Sequence, residues 1–307
     1  FMVGAKAQYN LGSTGTHHQR GERAAVILNK NAKQVTDRLR ARISKTAPQD
    51  VDVFYTDSID QAEFVIRRII DSGYQTIVTG GGDGTVVHTI DRALAHRKRR
   101  GLAHCPRFAV LKLGTGNAVA DFLGAGSPAD DIRDIEEADY RWLDLLKVNG
   151  KRTTFGGFGW DAYILNDYDA LREQAERFGP TKYLFKTVGG YLAAGLLKSV
   201  PNLVLKQLEW KVRIVNTGNT ARRLGPDGEI LETFKNGQVI YDGTVGMGCF
   251  GTTPYYGYKM NIMPHADRTQ GMFHLRLLDM HPLEAVGALR QAWKGALGHP
   301  GLTDLQV

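Results

Sequence analysis

A chain of 307 residues with 42% hydrophobic and 23% charged content holds enough apolar material for about two domains with proper cores, which excludes a disordered or low-complexity protein. The formal charge of +7 favours an anionic partner, and nucleotide, anionic membrane and nucleic acid all meet that description. Two distant cysteines, Cys105 and Cys249, exclude a disulfide framework and a cysteine-built zinc site, and fit a reducing cytosolic compartment.

In chain order, the start shows no charged region followed by an apolar core, so no signal peptide is expected. Residues 1–22 read as a flexible or tag-like segment containing His17-His18. Ala24 to Leu28 reads as a strand ending at Asn29-Lys30-Asn31-Ala32, followed by a polar helix over Lys33 to Ser44 with Val35, Leu39 and Ile43 at helical spacing. Val51 to Tyr55 reads as a strand, Thr56-Asp57-Ser58 as a helix start, and Ile59 to Ile70 as an amphipathic helix closed by Ser72-Gly73.

The stretch Thr76 to Thr85 then organises the rest. An apolar β-branched run stops at Gly80-Gly81-Gly82, a lone carboxylate Asp83 follows, then Gly84-Thr85, and a helix begins at Val86. Glycines let a backbone turn sharply and approach a ligand, and successive N–H groups before a helix form a concave site for phosphate. A carboxylate facing phosphate is repulsive unless it holds Mg2+ or takes a proton, so Asp83 points to phosphoryl transfer. Arg107 to Leu113 predicts another buried strand, ending in Gly114-Thr115-Gly116-Asn117, a second glycine turn. Alternating strands and helices imply a parallel sheet, whose ligands bind beyond the carboxyl ends of the strands. Asn29, Thr56 and both glycine loops stand at such ends. Neither loop has the lysine of a P-loop or the third glycine of a dinucleotide fingerprint.

Beyond about Tyr140 the pattern changes. Trp142 to Val148, Asn149-Gly150 and Arg152 to Phe158 predict a hairpin, and Leu203 to Val215, Val239 to Gly246 and Phe273 to Leu278 predict further strands. A helical insertion is expected over Ala170 to Leu197, with Phe178 to Leu197 apolar enough to serve as a lid or as core. The expected fold class is therefore α/β: an N-terminal parallel-sheet nucleotide domain over 23–139, then a mainly antiparallel β-sandwich domain over 140–307. No apolar run approaches the length of a transmembrane helix. The nine histidines show no metal-ligand spacing.

Gly81-Gly82-Asp83-Gly84-Thr85, followed by Gly114-Thr115-Gly116-Asn117, resembles the catalytic domain of the diacylglycerol kinase and sphingosine kinase superfamily, in the layout of the soluble bacterial lipid kinases. Asn29-Lys30-Asn31-Ala32, Thr56, Phe158-Gly159-Trp160-Asp161-Ala162, Pro254-Tyr255-Tyr256-Gly257 and Met263-Pro264-His265-Ala266 are similar to further landmarks, in order. The resemblance implies ATP and Mg2+ as cofactors and a lipid hydroxyl of diacylglycerol, ceramide or sphingoid type as acceptor. ATP would be held by Asn29, Asn31, Thr56, Gly81, Gly82, Gly84, Thr85, Gly114, Thr115, Gly116 and Asn117. Asp83 would be the catalytic acid/base or Mg2+ organiser, and Asp161 would orient the acceptor. It implies a cytoplasmic enzyme working peripherally at a membrane, with no nucleic-acid partner and with room for a homodimer. Protein metal ligands are not assigned.

The chain also departs from the family. Val87-His88 stands where Asn-Glu is usual, Ala118 where Asp is usual, and Gln270-Gly271 in place of a late Asp-Gly pair. The family's C-terminal Asp-Gly-Glu segment is not found before Val307, and Pro226-Asp227-Gly228-Glu229 occupies a turn between strands. Two other readings follow: an NAD-kinase-like enzyme, and a catalytically weak protein that binds nucleotide and membrane.

Overall fold

The computed structural model describes residues 23–32, 34–177, 199–206 and 209–307. The expected lid over Phe178 to Leu197 and the tag-like start lie outside the described residues. The chain divides into two compact units, one ending at Thr154 and the other starting at Phe155.

In the first unit, strands β1 (Ala24–Asn29), β2 (Val51–Thr56), β3 (Thr76–Gly81) and β4 (Arg107–Lys112) form a parallel sheet in the order β2-β1-β3-β4. Helices α1 (Asp37–Thr46), α2 (Ile59–Asp71) and α3 (Asp83–Arg100) alternate with them, and the short α4 (Ala118–Phe122) and α5 (Pro128–Arg133) follow β4. β1 and β3 are buried nearly throughout, as strands of a parallel sheet covered on both faces must be. One apolar cluster contains Ile27, Ile66, Ile69, Ile77, Ile90 and Leu94; another contains Leu28, Ile43, Val78, Leu111, Leu113 and Ile132. Thr36 and Ser58 cap α1 and α2 through their side chains. β5 (Leu146–Val148) and β6 (Lys151–Thr153) form the expected hairpin, with Asn149 and Gly150 both at positive φ, as its tight turn requires. It is shorter than the sequence suggests, because the strand pairing is confined to three residues on each side.

The second unit is mainly antiparallel. β7 (Phe155–Gly159), β9 (Ala221–Leu224), β10 (Ile230–Phe234), β12 (Met247–Gly251), β13 (His274–Leu278) and β14 (Leu302–Gln306) form a sheet in the order β10-β9-β14-β13-β12-β7. β8 (Trp210–Val215) pairs separately with β11 (Val239–Val245). Helix α6 (Trp160–Arg177) follows β7 directly, α7 (Val200–Lys206) precedes β8, and α8 (Pro282–Gly287) and α9 (Leu289–Trp293) lie between β13 and β14.

Two strand assignments need correction. Leu203 to Lys206 is helical, because a short apolar run fits a buried helix as well as a strand. The strand expected over Arg152 to Phe158 breaks at Thr154, leaving β6 and β7 in different sheets. β12 escapes a propensity reading because Gly248 and Gly251 dilute it. Its register places Phe158 opposite Gly248 and Phe250 opposite Gly156, so each ring lies where its glycine partner has no side chain.

Candidate functional site

At the carboxyl edge of the parallel sheet, register alone aligns the strand ends: Asn29 pairs with Thr56, and Gly81 with Lys112. Side chains then lock the turns. The Asn29 amide donates to Thr85 Oγ1 at 3.3 Å, while its Oδ1 accepts the Asn31 N–H at 2.9 Å. Asn31 in turn donates to the Asp57 carbonyl at 2.6 Å. A Cβ at Gly81 would meet Thr85 Oγ1 at 2.5 Å, so glycine is what allows the first helical turn to fold back on the strand.

The second loop is tied by Asn117, which sits in the left-handed region at φ 53° and closes a ring on Gly114: its Oδ1 accepts the Gly114 N–H at 2.7 Å and its amide donates to the Gly114 carbonyl at 2.9 Å. Gln34 donates to the same carbonyl at 2.8 Å. Thr115 is exposed and Gly116 half-buried. The two glycine loops touch. A Cβ on Gly114 would fall well inside van der Waals contact distance of the Gly82 Cα, whereas one on Gly82 would stand an ordinary 3.6 Å from the Gly114 Cα.

Asp83 links the loops. As the first residue of α3 it lies where the helix dipole favours negative charge, and its Oδ1 accepts the Val119 N–H at 3.0 Å, holding α4 against α3. Gly82, the N-cap, contributes no side-chain acceptor to the first-turn amides. Beside Gly81, Lys112 Nζ donates to the buried Asp121 at 2.5 Å. Sequence reasoning missed Gln34, Lys112 and Asp121. The available signal was a lysine ending the strand two residues before the glycine turn, with an acid on the short helix after it.

Asp161 belongs to the second unit, in the first turn of α6. Burial pushes its carboxyl pKa up, partly offset by the Tyr256 hydroxyl, which donates to Oδ2 at 2.5 Å. Gly157 makes room for the pair: a Cβ there would meet the Tyr256 hydroxyl oxygen at 2.6 Å. Nearby Cys249 is fully buried and its thiol is pushed up to about 12 by desolvation, so it is not a nucleophile. On the same sheet, Asp304 accepts from His274 at 2.8 Å and from both Arg276 Nε and Nη2 at 2.7 and 2.8 Å. Burial pushes the Asp304 carboxyl up, but these hydrogen bonds outweigh it and hold the pKa far below the carboxylate range.

Among the described residues, no group of three or more His, Cys, Asp or Glu side chains is arranged to hold a metal ion. Asp83 is the one acid within either glycine loop, and Asp121 is committed to Lys112. This donor set does not make a protein cage. It fits a magnesium ion that arrives on nucleotide phosphates and meets a single carboxylate.

Strand, glycine turn and helix N-terminus recur on two neighbouring parallel strands with one acid between them, which makes this an α/β unit with two glycine loops at its carboxyl edge. Residues 23–148 match the family model of the Diacylglycerol kinase catalytic domain, so the resemblance to the diacylglycerol kinase and sphingosine kinase superfamily holds over this segment. The chain is 32% identical over 142 residues to a Pseudomonas aeruginosa protein described as "Probable lipid kinase YegS-like", covering 44% of each. A Stenotrophomonas maltophilia protein with the same description is 31% identical over 141 residues, covering 43% of this chain and 45% of that one. The chain thus spans less than half the length of these curated relatives. In fold, it is similar to a crystal structure of a diacylglycerol kinase from Bacillus anthracis, with a TM-score of 0.59 and 20% identity, over 93% of this chain and 84% of that one. No helix among the described residues is long and apolar enough to cross a membrane.

Proposed function

We propose that this chain is an ATP-dependent lipid kinase that transfers the γ-phosphoryl group to a hydroxyl of a diacylglycerol-, ceramide- or sphingoid-type lipid. The observation that carries the reading is the contact between the Gly82 and Gly114 loops with Asp83 between them. In this reading residues 23–139 handle nucleotide and 140–307 handle lipid. The first-turn amides of α3 and the Gly114–Asn117 loop take the phosphates, with Asn29, Asn31, Thr56 and Thr85 shaping the edge. Mg2+, when bound, supplies charge neutralisation for the phosphates. Asp83 accepts the proton of the acceptor hydroxyl through the oxygen not engaged by Val119, and Asp161 is the residue of the second unit assigned to the lipid. As the hydroxyl oxygen bonds to the γ-phosphorus, the bond to the bridging oxygen breaks and ADP leaves. The enzyme works at the cytoplasmic membrane surface without spanning it.

The test is transfer from radiolabelled ATP to a panel of the three lipid types, with NAD as a control acceptor. Label in lipid, and not in NAD, is the expected result. Asp83→Asn preserves the Val119 contact but removes basicity, so turnover should fall on the order of 10²–10⁴ while ATP affinity persists. Transfer to NAD would move the chain to the NAD-kinase class. ATP binding without transfer to any acceptor would leave a nucleotide-binding protein.

A further inference from the structure

Helices α8 and α9 of the second unit turn alanines toward the core and leave larger apolar residues only partly covered. A surface helix ordinarily turns its large apolar residues inward and its polar ones outward. Here the residues packed toward the core are alanines: Ala292 is buried with Trp160, Leu203, Leu278, Met280 and Leu297, and Ala285 and Ala288 pack against that cluster. The bulky Leu289 and Trp293 stand outside that cluster and are half-buried. Leu289 and Trp293, four apart, line one shallow apolar depression together with Arg290 and Lys294, also four apart. On α8, Leu283 is 58% exposed. On α7, which packs against α8, Leu205 is 81% exposed. Single exposed leucines need no explanation, but a run that packs its alanines on the core and leaves Leu283 exposed and Leu289 and Trp293 half-buried around an apolar depression does.

The charge on this face decides among occupants. Arg290 and Lys294 are exposed, and neither has an ion-pair partner among the described residues. Glu284, the acid of α8, is engaged by the His281 N–H at 3.2 Å and by His299 at 3.7 Å. The outward face of α9 therefore carries two unneutralised cations beside an indole and a leucine. A second copy seated symmetrically would bring these cations against themselves, on a chain whose net charge is already +7. An anionic lipid surface meets every feature at once. Tryptophan settles at the headgroup level, and leucine enters the acyl boundary. Arginine and lysine lay their stems on apolar surface and reach phosphate with their heads.

We infer that the α8–α9 face, with Leu283, Leu289, Arg290, Trp293 and Lys294, is the surface by which this protein docks on anionic phospholipid. The inference deepens the lipid-kinase reading by naming where the membrane is met, and it rests on that reading only for the purpose of the contact. Its test needs no catalysis. The full chain is floated with vesicles of equal parts phosphatidylglycerol and phosphatidylcholine, and with phosphatidylcholine alone, in the absence of ATP. The wild type should bind the anionic vesicles, and the Arg290→Glu/Lys294→Glu variant should bind them at least ~10-fold more weakly with an unchanged melting temperature. Trp293→Ala should weaken binding as well, and Trp293→Phe should retain most of it. Equal flotation of wild type and charge-reversed variant overturns the assignment. So does equal flotation on neutral vesicles, or a wild-type dimer that the charge reversal dissociates. Phosphorylation of a short-chain acceptor in free solution separates the two proposals. Activity unchanged by the charge reversal supports a docking role, whereas vesicle binding through this face without phosphorylation of any lipid keeps the surface and removes the kinase.

Discussion

At the ends of β3 and β4, a Cβ on Gly114 would collide with the Gly82 backbone, whereas in β7 and β12 a Cβ on Gly156 or Gly248 would collide with the ring of Phe250 or Phe158. In the first unit, glycine brings two main chains together at a sheet edge and leaves Asp83 and Thr115 partly or fully open to solvent. In the second, glycine leaves a gap that an aromatic ring from the neighbouring strand then fills. The charges follow the same division. Among the described residues Asp83 accepts from one backbone donor, through Oδ1, while Asp304 is buried and saturated by His274 and Arg276. The difference separates glycine and carboxylate left at an open sheet edge, where the proposed nucleotide would sit, from the same residues placed for packing.

The largest expected stability effect lies on the closed side. Asp304→Asn leaves the Arg276 guanidinium buried beside a neutral amide, and breaking one partner of a buried ion pair costs about 3–5 kcal/mol. Urea unfolding at pH 7 measures it. The sign of the pH dependence follows from the depressed pKa of Asp304. Its contribution is complete above the ordinary carboxylate value and is lost as pH falls through the lower folded value. The gap between wild type and variant should thus be full at pH 7 and narrow below about pH 4. ATP affinity, measured well below the melting temperature, should not change. A gap that stays constant down to acid would show that the Asp304 charge adds nothing.

A matched pair of glycine substitutions tests the comparison directly. Gly248→Ala and Gly114→Ala should each destabilise by about 1–3 kcal/mol, the range for forcing a methyl group into filled space. They should then diverge. In Gly248→Ala the obstacle is the Phe158 ring, so adding Phe158→Leu should recover part of the loss, and nucleotide affinity should be retained throughout. In Gly114→Ala the nearest obstacle is the backbone of Gly82, which no second substitution can shrink, and ATP affinity should fall with stability. Calorimetry with and without ATP reads both quantities. Equal loss of ATP affinity in the two variants would dissolve the distinction.

The open edge was the more legible region in the sequence. Gly80 to Thr85 and Gly114 to Asn117 interrupt buried apolar strands, and such interruptions declare themselves without knowledge of distant contacts. Asn29 and Thr56 were readable as strand ends. What closes the site was not readable: Gln34 reaches Gly114 across 80 positions, and the partnership of Lys112 with Asp121 depends on how α4 turns back. In the second unit, local signals misled more often. β12 has the composition of a loop, and only the register that places Phe158 on Gly248 makes it a strand. The apolar run from Leu203 reads as a strand, yet its first residues are helical and Leu203 packs with Trp160 and Leu278. Asp304, His274 and Arg276 are spread over two strands and carry no motif.

The smallest expected effect is also the most discriminating at the open edge. Gly84 is the second residue of α3, does not occupy the left-handed region, and has nothing within 4 Å of where a Cβ would stand. By conformational entropy alone, Gly84→Ala should therefore stabilise the folded chain by about 0.4–1 kcal/mol. That corresponds to a rise of about 1–4 °C in melting temperature. If the first-turn amides receive a phosphate group, the same methyl enters the ligand's space, because the emptiness around Gly84 is then the volume the phosphate needs. Stability should go up while ATP affinity goes down, an opposition that neither a packing defect nor a misfolded loop produces. Differential scanning calorimetry supplies the first number and isothermal titration with ATP the second. A variant that melts higher and binds ATP as tightly as the wild type would show that Gly84 is only a flexible helix residue, and would move the phosphate site away from the N-terminus of α3.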